Sequence, residues 1–209
     1  MDGSPYSIDP LTKAHDRHSF VSGNETLDTY LKKIARQDMK RDVATVFVAS
    51  RQSTPQTICG YYTLSTGSIP YVALAGGVQQ IMPRYAALPA VWLGRLAVAK
   101  DCQGRGLGEI LLYDAFLRAL TLPVAWAFFV VDAKENAIEF YTRYGFEACP
   151  ETKTRLFMLK RDIAKICENI TAPKEKRSWV DDITGIIPNT DIDAKEIKAE
   201  RLAQKENTL

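Results

Sequence analysis

The chain has 209 residues, 46% of them apolar and 25% charged, with a formal net charge of +2. That is one ordinary domain, or one domain plus an appendage, with enough apolar residues to bury a core. Residues 1–165 carry 20 Lys and Arg against 16 Asp and Glu, and the remainder carries 7 against 9; so mild an imbalance does not by itself imply a nucleic-acid partner.

The four cysteines, at 59, 102, 149 and 167, form no close pair and no CxxC, which speaks against a disulfide framework or a zinc site. His15 and His18 are the only histidines, so a His-based metal centre or a Ser-His-Asp triad would have to draw on one of them. No metal is expected. The first thirty residues hold no signal-peptide core, and no apolar run approaches the ~18 residues of a membrane span. A reduced, soluble, cytoplasmic protein is expected.

In chain order, residues 1–14 read as a loose lead-in. SGNETLDTYLKKIARQDMKRD reads as a helix capped by Asn24 or Ser22, with Glu25 and Asp28 in its first turn. Leu27, Tyr30, Leu31 and Ile34 recur at helical spacing as the buried stripe. Lys32, Arg36 and Lys40 fall on another face, with Lys33 and Arg41 beside them. VATVFVAS (43–50) and TICGYYTLSTGSI (57–69) read as strands joined by a hairpin loop over 51–56. Prolines and glycines break 70–90 into a long loop or short helix. VWLGRLAVA (91–99) is a strand, 107–120 a helix, and VAWAFFVVDA (124–133) an almost wholly apolar strand, as expected of one covered on both faces. ENAIEFYTRY is a helix ended by Gly145, and RLFMLK (155–160) is a last strand. The order gives an α/β or α+β fold.

From about 166 the composition changes. ITAPKEKRS reads as a linker, SWVDDITGIIP holds a small apolar cluster, and DIDAKEIKAERLAQKE reads as a polar helix opened by an Asp193-x-x-Glu196 box. This tail is expected to stand outside the core fold.

The stretch QGRGLGEILL carries the strongest chemical signal. A strand, a glycine-rich turn and a helix start together make an anion site, because the first N–H groups of a helix lack internal partners and carry partial positive charge. Glycine lets the backbone approach a phosphate and adopt positive φ. A Walker loop would need GxxxxGK[ST], and no Lys-Ser/Thr follows; a dinucleotide turn would need GxGxxG, and Glu109 stands where its third glycine belongs. The pattern present is Gln103-x-x-Gly106-x-Gly108, and its plainer reading is a turn that merely joins strand to helix.

LGRLAVAKDCQGRGLGEILL resembles the acetyl-CoA motif Q/R-x-x-G-x-G/A of the GNAT acyltransferases, and FYTRYGF (140–146) resembles their FYxxxGF motif. The resemblance covers roughly residues 11–160. HSFVSGNETLDTYLKKIARQDMKRDVATVFVA, GYYTLS and Leu93-Gly94-Arg95-Leu96-Ala97-Val98 are further similar to the GNAT toxins (TacT/AtaT group) of bacterial type II toxin–antitoxin systems. The resemblance implies the GNAT fold, a central mixed sheet splayed between its fourth and fifth strands and flanked by helices. It implies an acetyltransferase domain over 1–165 and an extension over 166–209. It also implies an enzyme that uses acetyl-CoA to acetylate the amino acid on charged tRNA and so stops translation.

Carried onto this sequence, the resemblance puts the pyrophosphate on the backbone of Gln103, Gly104, Arg105, Gly106, Leu107 and Gly108. The pantetheine arm then pairs with the strand around Leu96, Ala97 and Val98, where one N–H polarises the thioester carbonyl. Tyr141 matches the catalytic tyrosine and is the general acid for the leaving thiolate; Tyr144 is the lesser alternative, and Tyr141 as mere packing is the plainer one. The family's asparagine is replaced by Lys134, with Asn136 out of register, and neither is given a role. An α-amine, pKa about 7.7–8.0, needs less help from a base than a lysine near 10.4, which favours an α-amine acceptor.

The basic residues Lys32, Lys33, Arg36, Lys40 and Arg41 suit tRNA phosphates, with Arg84 and Arg143 as additions, though such a face is more often simply solvated. Arg95, a charge inside an apolar strand, must face a cleft or a partner. The family implies a cognate antitoxin that also binds operator DNA, and commonly a homodimer. The competing readings are a GNAT acting on a small-molecule or protein amine, and a non-catalytic regulator that only binds antitoxin and DNA. The tail faintly resembles an antitoxin arm that docks in cis or on a neighbouring subunit.

Overall fold

The computed structural model describes residues 5–171. Its frame is a seven-stranded mixed sheet: β1 (Tyr6–Pro10), β2 (Thr45–Arg51), β3 (Thr54–Pro70), β4 (Ala87–Val98), β5 (Phe128–Asp132), β6 (Glu147–Cys149) and β7 (Thr152–Leu159), in the spatial order β1-β2-β3-β4-β5-β7-β6. All neighbours are antiparallel except β4 and β5. Six helices flank it: α1 (Glu25–Thr29), α2 (Ala35–Lys40), α3 (Gly76–Ile81), α4 (Leu107–Leu120), α5 (Ile138–Arg143) and α6 (Lys160–Thr171). This is the mixed α/β architecture expected.

β5 explains its own apolar sequence. Phe129 and Val131 belong to the larger core, which α4 covers with Leu107, Ile110, Leu111, Ala115, Phe116 and Ala119. Phe128 and Val130 belong to a second core on the opposite face, with Ile69, Leu88, Phe157 and Leu159. A strand buried on both faces has no polar alternation, and each such side chain contributes about 1.5–3 kcal/mol of transfer free energy.

Several elements depart from expectation: β4 starts already at Ala87, β5 only at Phe128, and β6 is not among the expected strands. The lead-in contains an edge strand, β1, paired from Tyr6↔Arg51 to Pro10↔Phe47, with its proline at the strand end. The hairpin joining β2 and β3 is tighter than a 51–56 loop, because β3 already begins at Thr54. Residues after 159 form α6, whose Ile163 and Cys167 are buried and whose Ile166 and Ile170 lie against Leu112, Tyr113 and Phe116. The linker read in ITAPKEKRS, the apolar cluster and the polar tail helix fall almost wholly outside the described residues.

The first helix is a correction of a different kind. Asn24 caps it, accepting from the Leu27 N–H at 3.3 Å, while the Asp28 carboxylate takes both the Ser22 N–H and hydroxyl. Its middle, Tyr30–Ile34, is a π-helical turn. The wider turn shifts the helical phase, so Ala35 is buried and Ile34, expected in the stripe, is 42% exposed. Arg17 donates to the carbonyls of Lys32 at 2.7 Å and Leu31 at 3.4 Å, occupying acceptors in this irregular segment.

Candidate active site

β4 and β5 pair only from Ala90↔Phe128 to Leu93↔Val131. Beyond Leu93 they separate, and the gap opens into a cleft of about 410 Å³. A bulge marks the start of the separation: Leu64 pairs with Leu93 but Thr63 with Arg95, leaving Gly94 as the extra residue. A Cβ at Gly94 would come within 2.9 Å of the Thr63 hydroxyl, so only glycine fits there without a shift.

One wall of the cleft is the freed end of β4, with Gly94, Arg95, Leu96, Ala97 and Val98; the facing wall carries Val131, Asp132, Ala133, Lys134, Asn136, Ala137 and Tyr141. Ser22, Asn24, Thr26 and Leu27 line it from the start of α1, and Gln103 from the glycine turn. Of the residues named from sequence, Leu96, Ala97, Val98, Gln103, Tyr141 and Arg95 therefore share one cleft. Ser22, Thr26, Leu27 and Asp132 were not foreseen. Asn24 was read only as a cap, and nothing local in the sequence shows that α1 begins beside β4.

The glycine turn follows its expected logic. Gly104 has φ +70 and Gly106, the residue before α4, has φ +75, both left-handed conformations that glycine adopts without penalty. A Cβ at Gly104 would meet nothing within 4 Å, so this face of the turn is open. The N–H groups of Gly104, Arg105 and Gly106 donate to no backbone carbonyl among the described residues, and those of Leu107, Gly108 and Glu109 are first-turn groups without intrahelical partners. Such a nest of open N–H groups at a helix start fits a pyrophosphate. The Leu107 side chain itself is buried core, and Gly108 lies 3.5 Å from Phe140 at the position of an added Cβ. Both therefore serve the turn through their backbone.

Gln103 behaves differently from a phosphate ligand. Its amide donates to the carbonyls of Val98 and of Ser22, each at 2.9 Å, so its side chain ties the turn to β4 and to the approach of α1.

Tyr141 lies in α5, 5% exposed, edge-on to Phe140 at 5.0 Å and Phe146 at 5.4 Å. Burial pushes its phenol well above the usual tyrosine range, so the proton stays on at physiological pH. Tyr144 lines a separate small gap with Glu109 and Tyr113, away from the cleft.

Arg95 lies over the ring of Tyr30, its guanidinium carbon 3.6 Å from the centroid. No carboxylate pairs with it among the described residues. Lys33, Arg36, Lys40 and Arg41 are exposed and Lys32 is half-buried along the arm that α1 begins. None of the five is ion-paired among the described residues. Arg84 and Arg143 are exposed outside the cleft lining.

The glycine turn with its open N–H groups and the buried phenol of Tyr141 adjoin one cleft, an arrangement suited to group transfer. A model of the acetyltransferase (GNAT) domain matches residues 42–148. The tRNA-acetylating toxin of Mycobacterium tuberculosis (strain ATCC 25618 / H37Rv) is 34% identical over 155 residues, covering 73% of this chain and 90% of that protein. Among solved structures, a tyrosine-to-phenylalanine mutant of KacT superposes with a TM-score of 0.73 at 28% identity, covering 78% of this chain and 99% of that one. AtaT complexed with acetyl-methionyl-tRNAfMet superposes with a TM-score of 0.70 at 27% identity, covering 77% and 98%. The chain belongs to the GNAT acetyltransferase family.

Proposed function

We propose that this acetyltransferase acetylates the α-amino group of aminoacyl-tRNA and acts as a translation-blocking toxin held in check by an antitoxin. The observation that carries the reading is the meeting, in one cleft, of a buried phenol at the splay and an arginine with no carboxylate partner. A neutral small-amine acceptor gives that arginine nothing to bind, whereas the phosphodiester next to an aminoacyl ester does. Lys32, Lys33, Arg36, Lys40 and Arg41, none of them ion-paired among the described residues, add cationic charge on the arm that α1 begins. The names of the relatives, a tRNA-acetylating toxin and AtaT with acetyl-methionyl-tRNA, support the same acceptor.

Gly104 to Gly108 hold the pyrophosphate of acetyl-CoA through backbone N–H groups, Gln103 being excluded from the expected set because its own N–H goes to the Lys100 carbonyl at 3.4 Å, and the freed edge of β4 at Leu96, Ala97 and Val98 holds the pantetheine arm. Because one lone pair of the Val98 carbonyl is taken by Gln103, the Val98 N–H and Leu96 carry most of that pairing. Acetyl-CoA supplies an acyl thioester, whose carbonyl carbon takes the amine. Tyr141 delivers its proton to the sulfur released as the C–N bond forms and the C–S bond breaks. Arg95 and the α1 approach hold the acceptor end, solvent takes the proton the amine sheds, and a proton from solvent through the open cleft restores the Tyr141 phenol.

The test is transfer of labelled acetyl groups to total charged tRNA, beside deacylated tRNA and a Tyr141→Phe variant. Label on charged tRNA only, lost in the variant, supports the reading. Label on polyamines or peptides with none on tRNA overturns it.

A further inference from the structure

Arg95 is held by an aromatic ring rather than by a carboxylate. At 3.6 Å the guanidinium carbon is at van der Waals distance from the Tyr30 ring, which leaves only the flat approach. Its N–H donors then lie in a plane parallel to the ring, at a residue that lines the cleft, and none is spent on a carboxylate among the described residues. Tyr30 is itself fixed from three sides. It is 2% exposed, its hydroxyl donates to Asp38 at 3.0 Å, and its ring stacks on Tyr61 at 6.3 Å with an interplanar angle of 18°. Tyr61 in turn donates to the Leu27 carbonyl at 2.8 Å, on the segment of α1 that lines the cleft. Tyr30 opens the π-helical turn whose carbonyls Arg17 takes. An α-helix continued through this point would change the phase of the residues after it, Asp38, the hydroxyl's acceptor, among them.

We propose that Tyr30 is the positioning residue for the acceptor: its ring sets the plane of Arg95, so that the guanidinium meets the phosphate beside the aminoacyl ester with its donors already oriented. This rests on the acceptor being aminoacyl-tRNA. The ring does the positioning, and the hydroxyl, spent on Asp38, serves only stability.

The experiment is steady-state kinetics on charged tRNA with Tyr30→Leu, Tyr30→Phe, Arg95→Ala and the Tyr30→Leu/Arg95→Ala double variant, with melting temperatures. Tyr30→Leu is expected to raise KM for charged tRNA about tenfold while leaving KM for acetyl-CoA unchanged. Tyr30→Phe, which keeps the ring, is expected to restore that KM yet melt lower. The double variant is expected to be no worse than Arg95→Ala alone, since the ring acts only through the arginine. Should Tyr30→Leu fail to fold, Arg95→Lys carries the test, because an ammonium keeps the charge without the flat stack, and the same rise in KM is expected. Wild-type transfer to charged tRNA with additive effects, or with both KM values moving together, overturns the role of Tyr30 alone. Absence of wild-type transfer to charged tRNA removes the acceptor reading and this inference with it.

Discussion

The side-chain amide of Gln103 hydrogen-bonds the carbonyl of Ser22, 81 residues earlier in the chain, at 2.9 Å, and the same amide holds Val98 at 2.9 Å. One side chain thus joins the glycine turn, the freed end of β4 and the entry to α1. Gln103→Ala removes both bonds, each worth about 1 kcal/mol, and is expected to raise KM for acetyl-CoA and for the acceptor together by roughly five- to tenfold, with kcat nearly kept. Initial-rate kinetics with each substrate varied in turn measures this; a change confined to acetyl-CoA would show that the link to Ser22 does not matter.

Tyr141 is packed by Phe140 and Phe146 through its ring, so Tyr141→Phe keeps the core and loses only the hydroxyl, the proposed proton donor. The expected outcome is a fall in kcat of about 10²–10⁴, with KM for acetyl-CoA and the melting temperature unchanged. Single-turnover rates with calorimetry check it. A variant that melts lower and keeps its rate would return Tyr141 to a packing role.

Gly106 sits at φ +75 at the start of α4. An L side chain there costs about 1–2 kcal/mol and tilts the N–H groups proposed to hold the pyrophosphate. Gly106→Ala is expected to weaken acetyl-CoA binding at least tenfold by titration calorimetry, whereas Gly76→Ala, with nothing within 4 Å of its Cβ, is expected to have no effect.

Alkaline stability follows from burial. Burial, the first cause in each case, raises the phenols of Tyr30 and Tyr113 and the thiols of Cys102 and Cys167 to about 12. Unfolded, these groups lose their protons near 10 and 9, so between those values and 12 the folded state binds more protons than the unfolded state. Stability therefore falls as pH rises through this window, and is fully present below it. Chemical denaturation is expected to give a flat midpoint up to about pH 8.5, then a decline that steepens past pH 10.

Most of the frame was legible in the sequence because its signals are local. Both faces of β5 are buried, so it reads as an apolar run. The helix over 107–120 carries an uninterrupted apolar stripe, and its glycine turn has the spacing an anion site needs. The misses have non-local causes. β1 is a short edge strand whose one partner among the described residues is β2. α6 is the exception: Ile163, Ile166, Cys167 and Ile170 recur at helical spacing, a local signal that a reading of 155–160 as the last element passed over. The π-helical turn at Tyr30 depends on acceptors taken by Arg17 and on a ring held by Asp38 and Tyr61, none of which has a sequence signature. The site was half visible for the same reason: the turn and Tyr141 lie in compact motifs, while Ser22, Thr26, Leu27 and Asp132 reach the cleft only through the fold.

The central claim is that the acceptor is the α-amine of an amino acid esterified to tRNA. Charged tRNA treated with enzyme and acetyl-CoA, then digested to nucleosides, tests it directly by mass spectrometry of the terminal aminoacyl-adenosine. The account predicts one or more aminoacyl-adenosines heavier by a single acetyl group, with the acetyl on the α-nitrogen in fragment ions and absent with Tyr141→Phe. Unmodified aminoacyl-adenosines, alongside continued release of free CoA thiol as the acetyl group passes to another amine, would contradict it.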